Sequence, residues 1–194
     1  HFVFLKSAGF VMDKADAVRA LSVHMASQVS NIYQINRFKI CVVPPRFDSK
    51  RFFLQKTDFC IGKVPKFISV GGLTPVKNYM CLVDVLEQAE IQCELRLVGT
   101  GPLYSELLAK SDRLKFVDLR LCGRLSAEEV ASELASSDIY IQFSLAEGMP
   151  RAIMEAMYVG TPVLSRDVGS VRELMEPMNS QCVFQSDSLF INQL

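Results

Sequence analysis

Ser144-Leu-Ala-Glu147-Gly-Met-Pro150-Arg-Ala-Ile-Met-Glu155-Ala-Met-Tyr-Val-Gly160-Thr-Pro-Val-Leu-Ser165 is the stretch on which the reading of this chain turns. Seven residues separate Glu147 from Glu155, and Gly148-Met149-Pro150 lies between them. Pro150 suits the first position of a helix, where a missing N–H costs nothing. Ala152–Tyr158 reads as that helix and Gly160-Thr161-Pro162 as its end. Glu147 therefore belongs to a strand-to-helix loop. Glu155 falls between one and two turns in, roughly 7 Å along the axis at ~1.5 Å per residue. Two carboxylates at a helix N-terminus, beside N–H groups that attract anions, suit a ligand with several hydroxyls and a phosphate. A nucleotide-sugar fits that description.

Outward from this stretch, short apolar strands alternate with helices. The strand candidates are 40–44, 67–71, 93–98, 117–122, 139–143, 162–165 and 181–184. Rich in Val, Ile, Leu and Phe with little alternation, they read as parallel strands buried on both faces. Helices are expected at 23–34, 77–89, 102–110, 127–136, 150–159 and 171–176. Ser126 with Glu129, and Ser170 with Glu173, have capping-box spacing. Strand–helix alternation implies βαβ crossovers and a doubly wound parallel sheet, which binds ligands beyond the carboxyl ends of its strands. The segment 45–66, with Pro45, Gly62 and Pro65, reads as a linker or insertion.

The 194 residues suffice for one α/β domain with a substantial core. The 21 basic and 21 acidic residues balance, with no arginine-rich arm, so no nucleic-acid partner is expected. No apolar run approaches the ~20 residues of a membrane span, and nothing reads as a signal peptide. Cys41, Cys60, Cys81, Cys93, Cys122 and Cys182 form no metal-ligand doublet, and several read as small buried hydrophobes. The expectation is a reducing cytoplasm, with peripheral attachment at the inner membrane face left open. The chain opens at His1 without Met and stops at Leu194, in what reads as a helix begun near Asp187. Both ends read as cut.

The Ser144–Ser165 stretch resembles the donor-binding signature of the retaining glycosyltransferases of GT-B fold, the "glycosyl transferases group 1" type. The likeness extends to Ala15–Ser22, Lys39–Asp48, Val70–Asn78, Leu97–Pro102, Leu121–Ser126 and Asp167–Glu173, in the family's order. It implies a Rossmann-like, doubly wound sheet forming the C-terminal half of a GT-B fold. Residues 1–37 would be a remnant of the acceptor domain and its junction helix, and 38–194 a donor-binding domain truncated at its C-terminus. The implied activity is transfer of a hexosyl-type sugar, with retention, from a UDP- or GDP-sugar to a saccharide or glycolipid acceptor. Polysaccharide assembly is the usual setting, and no cofactor or metal is implied.

Carried over by the resemblance, Glu155 holds the ribose hydroxyls, Glu147 contacts the transferred sugar, and Lys77 neutralises the diphosphate. Backbone N–H groups of Arg151 and Ala152 face the β-phosphate, with Gly148 and Met149 in the same loop; Pro150 has no N–H to offer. Gly99 and Gly101 allow close approach to a ligand, with a plain tight turn the alternative. Gly123 and Arg124 lie in the base-cradling loop. Gly72 is a departure: many relatives have arginine there, clamping the diphosphate with the lysine. Arg151 could compensate, since a cation in a first helical turn opposes the macrodipole by ~0.3–1 kcal/mol and wants an anion; pairing with Glu155 is the bland alternative. Glu147 as an exposed loop acid and Lys77 as a solvated lysine are the corresponding alternatives at those positions. Two rivals remain: a non-catalytic nucleotide-sugar binding module, and a glycoside hydrolase using the two glutamates across a glycosidic bond.

Overall fold

The computed structural model describes residues 2–46, 48–52, 62–176 and 182–194. Its first unit is small. Helix α1 (Phe2–Lys14) and helix α2 (Val23–Tyr33) accompany strands β1 (Val18–Ala20) and β2 (Ile40–Val42), which pair in parallel. Ala20, Ala26, Ile35 and Ile40 are its buried core.

The second unit is a six-stranded parallel sheet among the described residues, in the order β5-β4-β3-β6-β7-β8. The strands are β3 (Lys66–Val70), β4 (Cys93–Val98), β5 (Val117–Gly123), β6 (Ile139–Gln142), β7 (Val163–Arg166) and β8 (Val183–Phe184). Numbered within this sheet, the order is 3-2-1-4-5-6, the doubly wound pattern, with its switch point between β3 and β6. Helices α3 (Tyr79–Gln88), α4 (Tyr104–Ser111) and α8 (Asp187–Gln193) cover one face through Leu82, Leu86, Leu107 and Phe190. Helices α5 (Ala127–Ser136), α6 (Arg151–Val159) and α7 (Val171–Met175) cover the other through Leu134, Ile153, Ala156 and Met175.

Local chemistry fixes several boundaries. The Ser126 hydroxyl accepts from Glu129 N at 3.2 Å and the Glu129 carboxylate accepts from Ser126 N at 2.7 Å, completing the capping box of α5. Ile153, Ala156 and Val159 make one buried stripe on α6, which stops at Gly160 in the left-handed region. Pro150 stands one place earlier than expected: it is the cap residue and α6 begins at Arg151. The helix expected from residue 77 begins at Tyr79, because Asn78 takes φ +59° between a short turn at Pro75–Lys77 and α3.

Two expectations need correcting. The strands are not uniformly apolar on both faces. β5 is an edge strand, and Glu94 and Arg96 of β4 lie beside Asp118 and Arg120 of β5. Arg120 bridges Glu94 and Asp118 at 2.8 Å each, and Arg96 reaches Glu133 of α5 at 2.7 Å. A charged ladder of this kind discourages further strand addition at an open edge. The Ser170–Glu173 capping box is also absent. The Ser170 hydroxyl bonds to that of Ser22 at 2.5 Å, and the Glu173 carboxylate accepts from Val23 N and His24 N at 3.0 and 2.8 Å. Glu173 thus caps α2 and joins the two units. Residues 47 and 53–61 of the 45–66 linker lie outside the described residues. Of the cysteines, Cys93 is buried, its thiol pushed up to about 12 by desolvation, whereas Cys41 is exposed.

Candidate functional site

The carboxyl ends of β3 and β6 flank the switch point, and the chain leaves each through a loop carrying a predicted site residue. After β3, Gly71–Thr74 leads into the turn that ends at Lys77. After β6, Phe143–Met149 carries Glu147. Leu145 N donates to Val76 O at 2.8 Å, holding the two loops together. Across this junction Lys77 Nζ meets Glu147 Oε1 at 2.7 Å. The side chains are 22% and 12% exposed, so neither is a freely solvated surface charge. Such a pair, screened from water, holds a cation and a carboxylate beside the same space.

Close backbone packing makes this geometry possible. At Gly99 and Gly101 an added Cβ would stand 2.0 and 2.4 Å from the carbonyl oxygens of Gly71 and Leu73. Gly71 N donates to Val98 O and Leu73 N to Thr100 O, at 2.9 and 3.0 Å. These two glycines therefore have a structural task, binding the β3 and β4 loops to each other. Gly169, at φ +56°, does the same between the β7 and β6 loops, where a Cβ would lie 1.8 Å from the Glu147 carbonyl oxygen. Gly72 is exposed, and a Cβ there meets ordinary contacts of 3.7 Å. The fold would accept a side chain at that position.

Glu155 sits farther along α6. Its side chain is 12% exposed and lines a cavity of about 350 Å³ with Asp48, Phe52, Leu125, Ala127 and Arg151. Leu125 closes the Gly123–Arg124 loop, and Arg124 itself is exposed. Arg151 reaches Glu155 at 3.7 Å but is 65% exposed, which makes this a weak surface pair. Met149 precedes the cap Pro150 and Ala152 is the second residue of α6, while Gly148 packs toward Met25 and Leu21 of the first unit. A second cavity of about 370 Å³, lined by Met157, Pro162, Met175 and Cys182, opens at the amino end of β7, the edge opposite this site. Among the described residues no group of His, Cys, Asp and Glu is placed to hold a metal.

Burial pushes the Glu155 carboxyl above the ordinary value of 4.5, and the Arg151 charge only partly opposes it. The folded chain therefore holds this proton over a pH window in which the unfolded chain has released it. Stability falls as pH rises through that window. Glu155→Gln removes the penalty and is expected to be more stable than the parent at pH 7, the gain shrinking as pH drops below the ordinary carboxylate range. Urea denaturation at both pH values checks this; coincident midpoints at pH 7 would show that the carboxylate is not desolvated.

Residues that sequence reasoning missed lie directly beneath Glu147. Gln142 Nε2 donates to Glu147 Oε1 at 2.5 Å and to Ser144 Oγ at 2.6 Å, and the Tyr140 hydroxyl donates to Gln142 Oε1. Burial and, next, the Glu147 charge push the Tyr79 phenol upward. The available signal was one amide in the apolar run Ile139–Phe143.

A parallel sheet in this order, with a cation and a carboxylate paired across its switch point, has the architecture of a GT-B glycosyltransferase domain. The Anabaena protein HepE, solved with UDP-glucose, superposes with a TM-score of 0.76 at 22% identity, over 98% of this chain and 57% of its own. The chain belongs to the glycosyl transferases group 1 family, whose model matches residues 64–193. Amylovoran biosynthesis glycosyltransferase AmsK of Erwinia amylovora is 31% identical over 150 residues, 71% of this chain and 36% of that protein. N-acetyl-alpha-D-glucosaminyl L-malate synthase of Bacillus anthracis is 25% identical over 175 residues, 86% of this chain and 45% of its own length. The chain thus spans less than half the length of these two curated relatives. Among the described residues no helix is long and apolar enough to cross a membrane.

Proposed function

We propose that this chain carries the donor site of a glycosyltransferase that takes a hexosyl-type sugar from a nucleoside-diphosphate sugar. The observation that carries the reading is the Lys77–Glu147 contact of 2.7 Å across the β3–β6 switch point. Lys77 stabilises the departing diphosphate, assisted by the N–H groups of Arg151 and Ala152 at the start of α6. Glu155 accepts hydrogen bonds from the ribose hydroxyls in its half-enclosed cavity. Glu147 orients the sugar. The bond from the sugar's anomeric carbon to the β-phosphate oxygen breaks, and a bond from that carbon to the acceptor oxygen forms. The acceptor's proton passes to the departing phosphate, so neither glutamate acts as acid or base and the configuration is retained. Lys77 takes the part a divalent ion would otherwise play. A saccharide or lipid-linked acceptor would be read by a further domain, and this chain alone is expected to bind nucleotide while transferring little sugar.

Calorimetric titration with UDP, GDP and ADP, without added metal, tests the reading. Saturable binding of one nucleotide, lost in Glu155→Ala, is expected. Binding of none would overturn the donor site. Binding without transfer when the chain is joined to an intact acceptor domain would favour a non-catalytic module, to which the glycine at position 72 already lends support.

A further inference from the structure

The polar side chains beneath the Lys77–Glu147 pair have no task in the reading above. Gln142 is buried at the carboxyl end of β6, where an amide is costly unless each of its groups is paired. Here both ends are paired. Tyr140 is fully buried, and its phenol, pushed upward chiefly by desolvation, stays protonated and donates. The Glu147 carboxylate can only accept, so the NH2 group of Gln142 must face it and Ser144, which leaves the amide oxygen to the Tyr140 hydroxyl. The orientation of the amide is thus set by the chain itself.

Two donors converge on Glu147 Oε1: the Lys77 ammonium and the Gln142 amide. Oε2 has no donor among the described residues. Lys77 sits on a long flexible stem, whereas Gln142 is anchored in the sheet. Resting on the donor-site reading, we propose that Gln142 is a positioning residue: it holds Oε1 of Glu147 so that Oε2 is presented to a hydroxyl of the transferred sugar. Tyr140 acts one step behind it, bonding the amide oxygen and so holding the amide in place against the carboxylate.

The assignment is tested on the whole chain by the ratio of two affinities, for a nucleotide sugar and for its nucleoside diphosphate. The probes are UDP-glucose with UDP, GDP-mannose with GDP, and ADP-glucose with ADP, titrated calorimetrically. Gln142→Met keeps the volume and removes the amide. It is expected to weaken the nucleotide sugar about tenfold while leaving the diphosphate within about threefold, the scale of one hydrogen bond to a charged group. Tyr140→Phe, which removes one hydroxyl, is expected to move the ratio the same way by less, and it supplies the readout if Gln142→Met does not fold. An unchanged ratio in both variants overturns the assignment. Equal weakening of sugar nucleotide and diphosphate also overturns it, leaving a structural role and an intact donor site. If the unaltered chain binds no nucleotide, the donor-site reading fails and this assignment fails with it.

Discussion

Replacing Lys77 by alanine is expected to weaken nucleoside-diphosphate binding by about two orders of magnitude, or ~2.7 kcal/mol. Two effects add in the same direction. The variant loses a charge-assisted contact to phosphate, of the stronger class of hydrogen bond. It also strips Glu147 of its cation, so an unneutralised carboxylate with 12% exposure confronts the incoming dianion. The existing ion pair moderates the total, because Lys77 must loosen one partner to gain another. Lys77→Arg keeps the charge and is expected to lose less. Titration of the nucleotide that binds the parent decides the matter, and an affinity within threefold of the parent in Lys77→Ala would remove the residue from the site.

The largest stability effect is expected at Gly169. A methyl group there would lie 1.8 Å from the Glu147 carbonyl oxygen, a backbone atom that cannot swing aside. The residue also sits at φ +56°, where an ordinary side chain adds strain of about 1–3 kcal/mol. Overpacking of a fixed contact contributes a further 1–3 kcal/mol or so. Gly169→Ala should therefore lose about 3 kcal/mol, read as a lower urea midpoint with unchanged slope. Gly72→Ala, whose Cβ meets only ordinary contacts, is the matched control and should stay within ~0.5 kcal/mol of the parent. A Gly169→Ala midpoint equal to the parent's would mean that the two loops are not locked together.

The order of strands and helices was legible because each buried strand is a short apolar run bounded by turn residues, and α5 and α6 announce their ends with a capping box and a glycine. The placement of Glu147 before a helix and Glu155 within it followed from Pro150 and Gly160 alone. What stayed hidden depends on contacts between distant residues. Lys77 and Glu147 are 70 apart in the chain, so their pairing could not be read. Ser170 and Glu173 have the spacing of a local cap, yet both turn to residues some 150 positions away. Spacing gives what a side chain can do nearby, while tertiary packing offers it a better partner. The helix α1 went unrecognised because its apolar residues show no one-sided stripe, and Phe10 and Val11 remain largely exposed. Gln142 was passed over since an amide in a strand advertises nothing until its neighbours are known.

Among the described residues the join between the two units includes one carboxylate on two N–H donors, one hydroxyl pair, and Met25 and Leu21 near Gly148. Water can replace every one of the polar contacts, so the seam resembles a detent more than a weld. Two of its anchor points on the larger unit adjoin a loop at the mouth of the sheet: Ser170 follows Gly169, and Gly148 follows Glu147. A swing of the smaller unit would therefore pull on the loops that hold Glu147, and the grip of the proposed donor site would register the posture of the hinge.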